Sequence, residues 1–256
     1  MKEFLGFGGY ARSAEGYLSW QHLTFVSALM AVMVLLAVVL GRKNRLADSC
    51  RKKQVLIATA LLIDGLELFK IVIFCLRSES LEPILYNLPL FLCSIQLITI
   101  PMAAFCKGKL QAAALDFVCI FGLLGAVLGT YGAGNNYAVY PVLSLDNVVS
   151  GLTHSISGFA ALYIMIAGMA PLKKREIPVT FGILVSFCLG AWVANTFLDS
   201  NYMFLVRGDG TPYDILFDLV GGHPALYPMS VAALFFLYIA GFYCIHSLLR
   251  KKTATR

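Results

Sequence analysis

The sequence predicts an all-α, polytopic membrane protein of seven transmembrane helices, with the amino terminus outside and the carboxyl terminus inside. Three observations carry this. Of the 256 residues, 59% are hydrophobic and only 13% are charged, against roughly 25% charged in soluble domains. The apolar residues gather into seven runs, each near the about 20 residues that cross a hydrocarbon core of about 30 Å. Lys and Arg cluster in alternate connections between these runs, as short cytoplasmic loops do.

The expected spans lie at about 20–40, 54–76, 84–106, 110–130, 148–170, 178–198 and 225–249, in a single integral membrane domain covering residues 1–256. Residues 1–18 lack the long apolar core and small-residue cleavage site of a signal peptide, so the first span serves as its own insertion signal. After it comes a basic loop with Arg42, Lys43, Arg45, Arg51, Lys52 and Lys53. Span two contains "LLIDGLELFK", which places Asp64, Glu67 and Lys70 inside an otherwise apolar run. Span three carries Asn87, Cys93 and Gln96 and leads to Lys107 and Lys109. Span four holds Asp116, and span five holds His154 in "LTHSISGF" before Lys173, Lys174 and Arg175. Span six ends near Asn195; span seven starts after His223 and leads to a tail with Arg250, Lys251, Lys252 and Arg256. Those clusters hold fifteen of the 20 Lys and Arg, which sets the direction and requires an odd number of spans. No transporter-type repeat is evident. The long connections, 131–147 and 198–225, fall outside, and the second is long enough for a short re-entrant or interfacial segment.

Composition also excludes classes. The net charge of +6 sits in short interhelical clusters rather than a basic groove interleaved with aromatics, so membrane lipid is the expected partner and nucleic acid is not. Protein partners are not specified. The seven cysteines form no CxxC pair and fall mainly in apolar runs, which indicates neither a disulfide framework nor a zinc site. No cofactor or metal motif is present. A multi-pass protein of the cell membrane is expected.

With direction set, a rise of about 1.5 Å per residue gives each polar group a depth. Asp64 falls near the midplane, Glu67 about 13 Å and Lys70 about 9 Å below the outer end, Cys93 about 13 Å down, and His154 about 9 Å. These residues share the outer half of the bilayer; Asp116 alone stands apart. Intramembrane charge is expensive and so faces protein or water, in partnership. Asp64, Glu67 and Lys70 recur every three residues, which predicts one polar face turned into the bundle. The bland alternative is an i, i+3 ion pair without chemistry. Cys93 read alone is a packing residue; a base at its depth, His154, is what makes it a candidate nucleophile. Thr153, Ser155, Ser157 and Gly158 around His154 are small enough for close helix contact. The acidic residues of the last outer loop read as solvated, and "GDGTP" reads as a turn.

At "NTFLDSNYMFLVRGDGTPYDIL", followed by "HPALYP" and an apolar last helix, the chain resembles the bacterial YwaF-like integral membrane family. The likeness includes "LPLFLCS" in span three, Gly122, Gly125 and Ala126 in span four, His154 early in span five, and "NYMFL" from Asn201 to Leu205. Eukaryotic members resemble transmembrane phospholipid acyltransferases. The resemblance implies a catalytic cysteine in the third span and a histidine in the fifth, here Cys93 and His154. It departs at Phe91, where bacterial relatives often carry a histidine.

The leading reading is a lipid-modifying enzyme performing acyl transfer or acyl-ester hydrolysis. Cys93 attacks, His154 acts as base and then acid, and Asn195 or Gln96 donates to the oxyanion. Asp64 or Glu67 orients the histidine and Lys70 meets a lipid phosphate, with Asn201, Tyr202 and His223 in support. A transporter or solute-binding protein using Asp64, Glu67 and Lys70 is the second reading, and a non-catalytic structural membrane protein the third.

Overall fold

In the computed structural model, which describes residues 2–170 and 172–254, the chain is helical throughout, with no strand among the described residues. Helix α1 (Trp20–Asn44) is N-capped by Ser19, whose hydroxyl accepts from the His22 amide, and its last turn carries Arg42 and Lys43. Asp48 caps α2 (Ser49–Ser78) by accepting from the Arg51 amide at 2.8 Å. Such caps satisfy amides that have no partner within the helix.

The next expected span, 84–106, is not one helix. It divides into α3 (Glu82–Tyr86) and α4 (Gln96–Phe105), with residues 87–95 outside any helix. The cause lies in the sequence. Pro89 has no amide to donate and pushes Leu88 out of the helical region. The freed backbone is taken up by a side chain: the Tyr202 hydroxyl accepts from the Leu88 amide at 3.3 Å and donates to the Leu85 carbonyl at 2.5 Å. Asn87, Leu88, Phe91, Cys93 and Ser94 of this non-helical segment line a cavity.

Helix α5 (Gly108–Tyr131) is the centre of the fold. Its Phe117, Ile120 and Phe121 enter one core with the later helices, while Ala114, Val118 and Cys119 enter a second core with α2 and α4. A helix apolar on all sides belongs in such a position. After the short α6 (Gly134–Val139) comes α7 (Leu145–Ile166), capped by Ser144. Helices α5 and α7 approach closely: a methyl group at Gly158 would stand 2.5 Å from the Ala126 Cβ. Helix α8 (Ile177–Leu198) is followed by a 27-residue connection that returns into the protein, with Tyr202 and Met203 each 1% exposed. The connection also includes α9 (Asp214–Leu219) and ends at α10 (Leu226–Ala254).

Among the described residues five helices, α1, α5, α7, α8 and α10, are long and apolar enough to cross a membrane. Helix α2 is 30 residues long but carries its internal charges. Of the basic tail, Arg256 lies outside the described residues.

Two buried polar clusters tie the helices together. Asp116 accepts from the Leu172 amide at 3.0 Å and from the Tyr243 hydroxyl at 2.6 Å, and Tyr243 also bonds Thr180. The isolated carboxylate of span four is therefore a latch between α5, α8 and α10. At the other end, Arg77 of α2 pairs with Asp146 of α7 at 2.9 Å, and the Tyr10 hydroxyl donates to the same carboxylate. Burial, with Asp146 beside it, pushes the Tyr10 hydroxyl up to about 12.

Candidate functional site

The site grows from the break between α3 and α4. Because residues 87–95 are not helical, Cys93 does not sit mid-helix as expected but in a turn leading into α4. Ser94 holds that turn, its hydroxyl accepting from the Phe91 amide at 3.0 Å and donating to the Phe91 carbonyl at 3.1 Å. The backbone N–H groups of Cys93 and Ser94 donate no hydrogen bond among the described residues, whereas a regular helix would commit those amides to carbonyls one turn earlier.

His154 comes from α7. Its imidazole lies against α5 at Gly129, where an added methyl carbon would stand 2.2 Å from both Cε1 and Nδ1. Cys93 rests on the same helix one turn away, its Cβ 3.7 Å from where a methyl group at Gly125 would be. Thus "GAVLG", residues 125–129, is a floor shared by the thiol and the imidazole. That GxxxG spacing was the signal in the sequence for this floor; Gly129 was not among the residues it brought forward.

Both side chains line one cavity of about 340 Å³, together with Glu67, Lys70, Asn87 and Asn136. Helix α2 contributes the charged wall. Lys70 Nζ lies 2.6 Å from Glu67 Oε1, with the two side chains 15% and 12% exposed. The three expected charges do not share the wall equally, because Ile63, Glu67 and Lys70 line the cavity while Asp64 stands a helical step aside. Asp64 Oδ1 is buried and has no hydrogen-bond partner among the described residues.

The remaining sequence candidates have other positions. Gln96 is buried at the first turn of α4, its Oε1 accepting from Thr99 at 3.1 Å while Nε2 has no partner among the described residues. Asn195 is occupied: its amide donates to the Tyr202 carbonyl at 3.0 Å, and its oxygen accepts from the Tyr202 amide at 2.7 Å and the Ser200 hydroxyl at 3.0 Å. Asn201 closes the next turn, donating to Arg207 O and Asp209 Oδ2 and accepting from the Val206 amide. Tyr202 packs against Phe91 with ring centroids 4.9 Å apart and planes tilted at 58°, and braces the broken segment. His223 accepts from the amides of Ala225 and Leu226 at the start of α10, away from the cavity. Depth alone placed Asn195 near the thiol; the folded-back connection uses it instead.

A cavity lined by the hydroxyl-bearing Tyr86, Ser94, Ser150, Thr153 and Ser157 as well as by apolar side chains, with a thiol, an imidazole and the Lys70–Glu67 pair, can support nucleophilic chemistry on an acyl ester. A family model described as the TMEM164 family matches residues 17–243. No curated protein and no solved structure matches the chain.

Proposed function

The chain belongs to the TMEM164 family, a family of transmembrane proteins, and we propose that it is a lipid-modifying enzyme of the cell membrane that transfers or hydrolyses a phospholipid acyl ester. The observation that carries the reading is the shared cavity: Cys93 and His154, 61 residues apart in sequence, rest one turn apart on α5. His154 takes the Cys93 proton as sulfur attacks the ester carbonyl carbon. The carbon–oxygen bond breaks and the leaving alkoxide takes the proton from the imidazolium, leaving a thioester on Cys93. A second hydroxyl, from a lysolipid or water, gives its proton to His154, attacks the thioester, and the thiolate is reprotonated. The amides of Cys93 and Ser94 donate to the oxyanion, a role mutagenesis elsewhere values at about 3–4 kcal/mol per donor. Lys70, held by Glu67, meets the lipid phosphate.

In this reading α2 and the α3–α4 pair add two crossings to the five apolar helices. The count becomes seven, with the amino terminus outside and the cavity open to the outer leaflet. A lipid-like alkylating probe tests the dyad. Modification mapped to Cys93 in the wild type and lost in both Cys93→Ala and His154→Ala supports it; equal labelling of His154→Ala removes the base. One observation favours a second reading: the unpartnered oxygen of Asp64 beside the Glu67–Lys70 wall suits a proton or cation carrier. Loss of proton-coupled uptake in Asp64→Asn, with Cys93→Ala silent, would select transport.

A further inference from the structure

A groove between α1, α2 and α7, at the end of the molecule that carries the α1–α2 loop, takes no part in the site above. Its volume is about 490 Å³. Lys43 of α1 and Arg51 of α2 stand at one end, and Leu36, Leu40, Leu62 and Phe159 wall the remainder. Neither cation pairs with a carboxylate among the described residues. Asp48, three residues before Arg51, is turned to the Arg51 amide as a helix cap. The meeting point of the helices is fixed: Asn44, 3% exposed, donates to the Tyr163 hydroxyl at 3.1 Å, and Tyr163 donates to the Lys52 carbonyl at 3.3 Å.

Helices α1 and α2 run in opposite directions from the loop, so both apolar walls lead away from the cations. From Arg51 to Leu62 the wall extends about 16 Å at about 1.5 Å per residue. At the loop tip Leu46 is 97% exposed between Arg45 and Ala47, an apolar side chain placed to enter a bilayer surface while its basic neighbours stay among headgroups. Two cations alone would suit any phosphate, but most of this lining is apolar and lies beyond their reach. Basic pockets between membrane helices hold acidic headgroups for this reason.

We propose that the groove binds one anionic phospholipid, its phosphate between Lys43 and Arg51 and an acyl chain along Leu36, Leu40 and Leu62. The assignment is independent of the Cys93–His154 chemistry. Native mass spectrometry of the purified full chain with phosphatidylglycerol and phosphatidylcholine of matched chains tests it. One phosphatidylglycerol binds the wild type in preference, and Lys43→Gln/Arg51→Gln abolishes the preference. The loss is about 25-fold if each cation contributes roughly fivefold, the factor of a surface charge beside an acidic leaflet. Ala58→Trp, at an exposed position of the groove wall, reduces binding of both lipids, and Cys93→Ser leaves both unchanged. Circular dichroism shows that each variant keeps its helices. Equal binding of the two lipids by the wild type, an unchanged preference in the double variant, unchanged binding in Ala58→Trp, or displacement of the lipid by inorganic phosphate overturns the assignment.

Discussion

Alanine at Gly129 is the sharpest perturbation of the proposed site, because it touches neither reacting group chemically. The added methyl carbon would stand 2.2 Å from His154 Cε1 and Nδ1 and 2.5 Å from Nε2. Carbon contacts settle at about 3.5–4.0 Å, so the ring must move by more than about 1 Å or α5 and α7 must separate. Misplacement by about 1 Å costs on the order of 100-fold in rate. The same substitution one turn earlier is a control: at Gly125 the methyl would meet Cys93 Cβ at 3.7 Å, an ordinary contact. Both variants gain helix propensity of about 1 kcal/mol, while overpacking at Gly129 costs about 1–3 kcal/mol, so G129A remains folded. Rates of probe attachment at Cys93, mapped by peptide mass spectrometry, should fall about 100-fold in G129A and by less than about threefold in G125A. Thermal unfolding in detergent serves as the check on folding. A G129A variant that labels at the wild-type rate, with His154 still required, would refute the cradle.

Other outcomes follow from the surrounding structure. Tyr202→Phe keeps the ring contact with Phe91 but strands the Leu88 amide and Leu85 carbonyl, so it should lower stability by about 1–3 kcal/mol in chemical denaturation; an unchanged midpoint would mean the break does not depend on that hydroxyl. Arg77→Met leaves Asp146, 7% exposed, without its cation, and should cost about 3 kcal/mol, with part of the loss recovered in Arg77→Met/Asp146→Leu; no recovery would show that the pair is not coupled. The protonated Tyr10 hydroxyl is favoured by folding, since its value rises from 10.0 to about 12. Its contribution is therefore complete below pH 10 and lost as pH rises through about 12. Tyrosinate absorbance followed against protease access to residues 2–18 should show the segment releasing in that upper window, and release near pH 8 would contradict the assignment. Asp116→Asn keeps an acceptor for Leu172 but loses the charge that receives the Tyr243 proton, and should destabilise by about 1–2 kcal/mol in the same unfolding assay; a neutral effect would show that the Asp116 charge does not strengthen the latch.

The parts of the molecule governed by periodicity and charge were legible before any coordinates. Long apolar runs predicted α1, α5, α7, α8 and α10, and the i, i+3 spacing of Glu67 and Lys70 offered as its bland alternative the ion pair that the two side chains form. Depth counting, combined with the likeness to a cysteine–histidine family, singled out Cys93 and His154, which line the same cavity. What was not legible depends on contacts between distant segments. Pro89 announces a break only if something can satisfy the freed backbone, and Tyr202 arrives from more than 100 residues later to do so. For the same reason Asn195 looked available at its depth, although the chain folding back through Ser200 and Tyr202 occupies all its polar atoms. Asp146 opens a helix and reads as an ordinary first-turn acid; only the packing of α2 against α7 gives it Arg77, and only the return of residues 2–18 gives it Tyr10.

The central claim is that the thiol of Cys93 carries an acyl group. The purified protein, incubated with a phospholipid and quenched in acid, should yield the peptide containing Cys93 with the mass of an acyl thioester. That adduct should be labile to hydroxylamine, absent in Cys93→Ala and strongly reduced in His154→Ala. An adduct spread over Cys50 and Cys244, or one at Cys93 that forms equally without His154, would contradict the account.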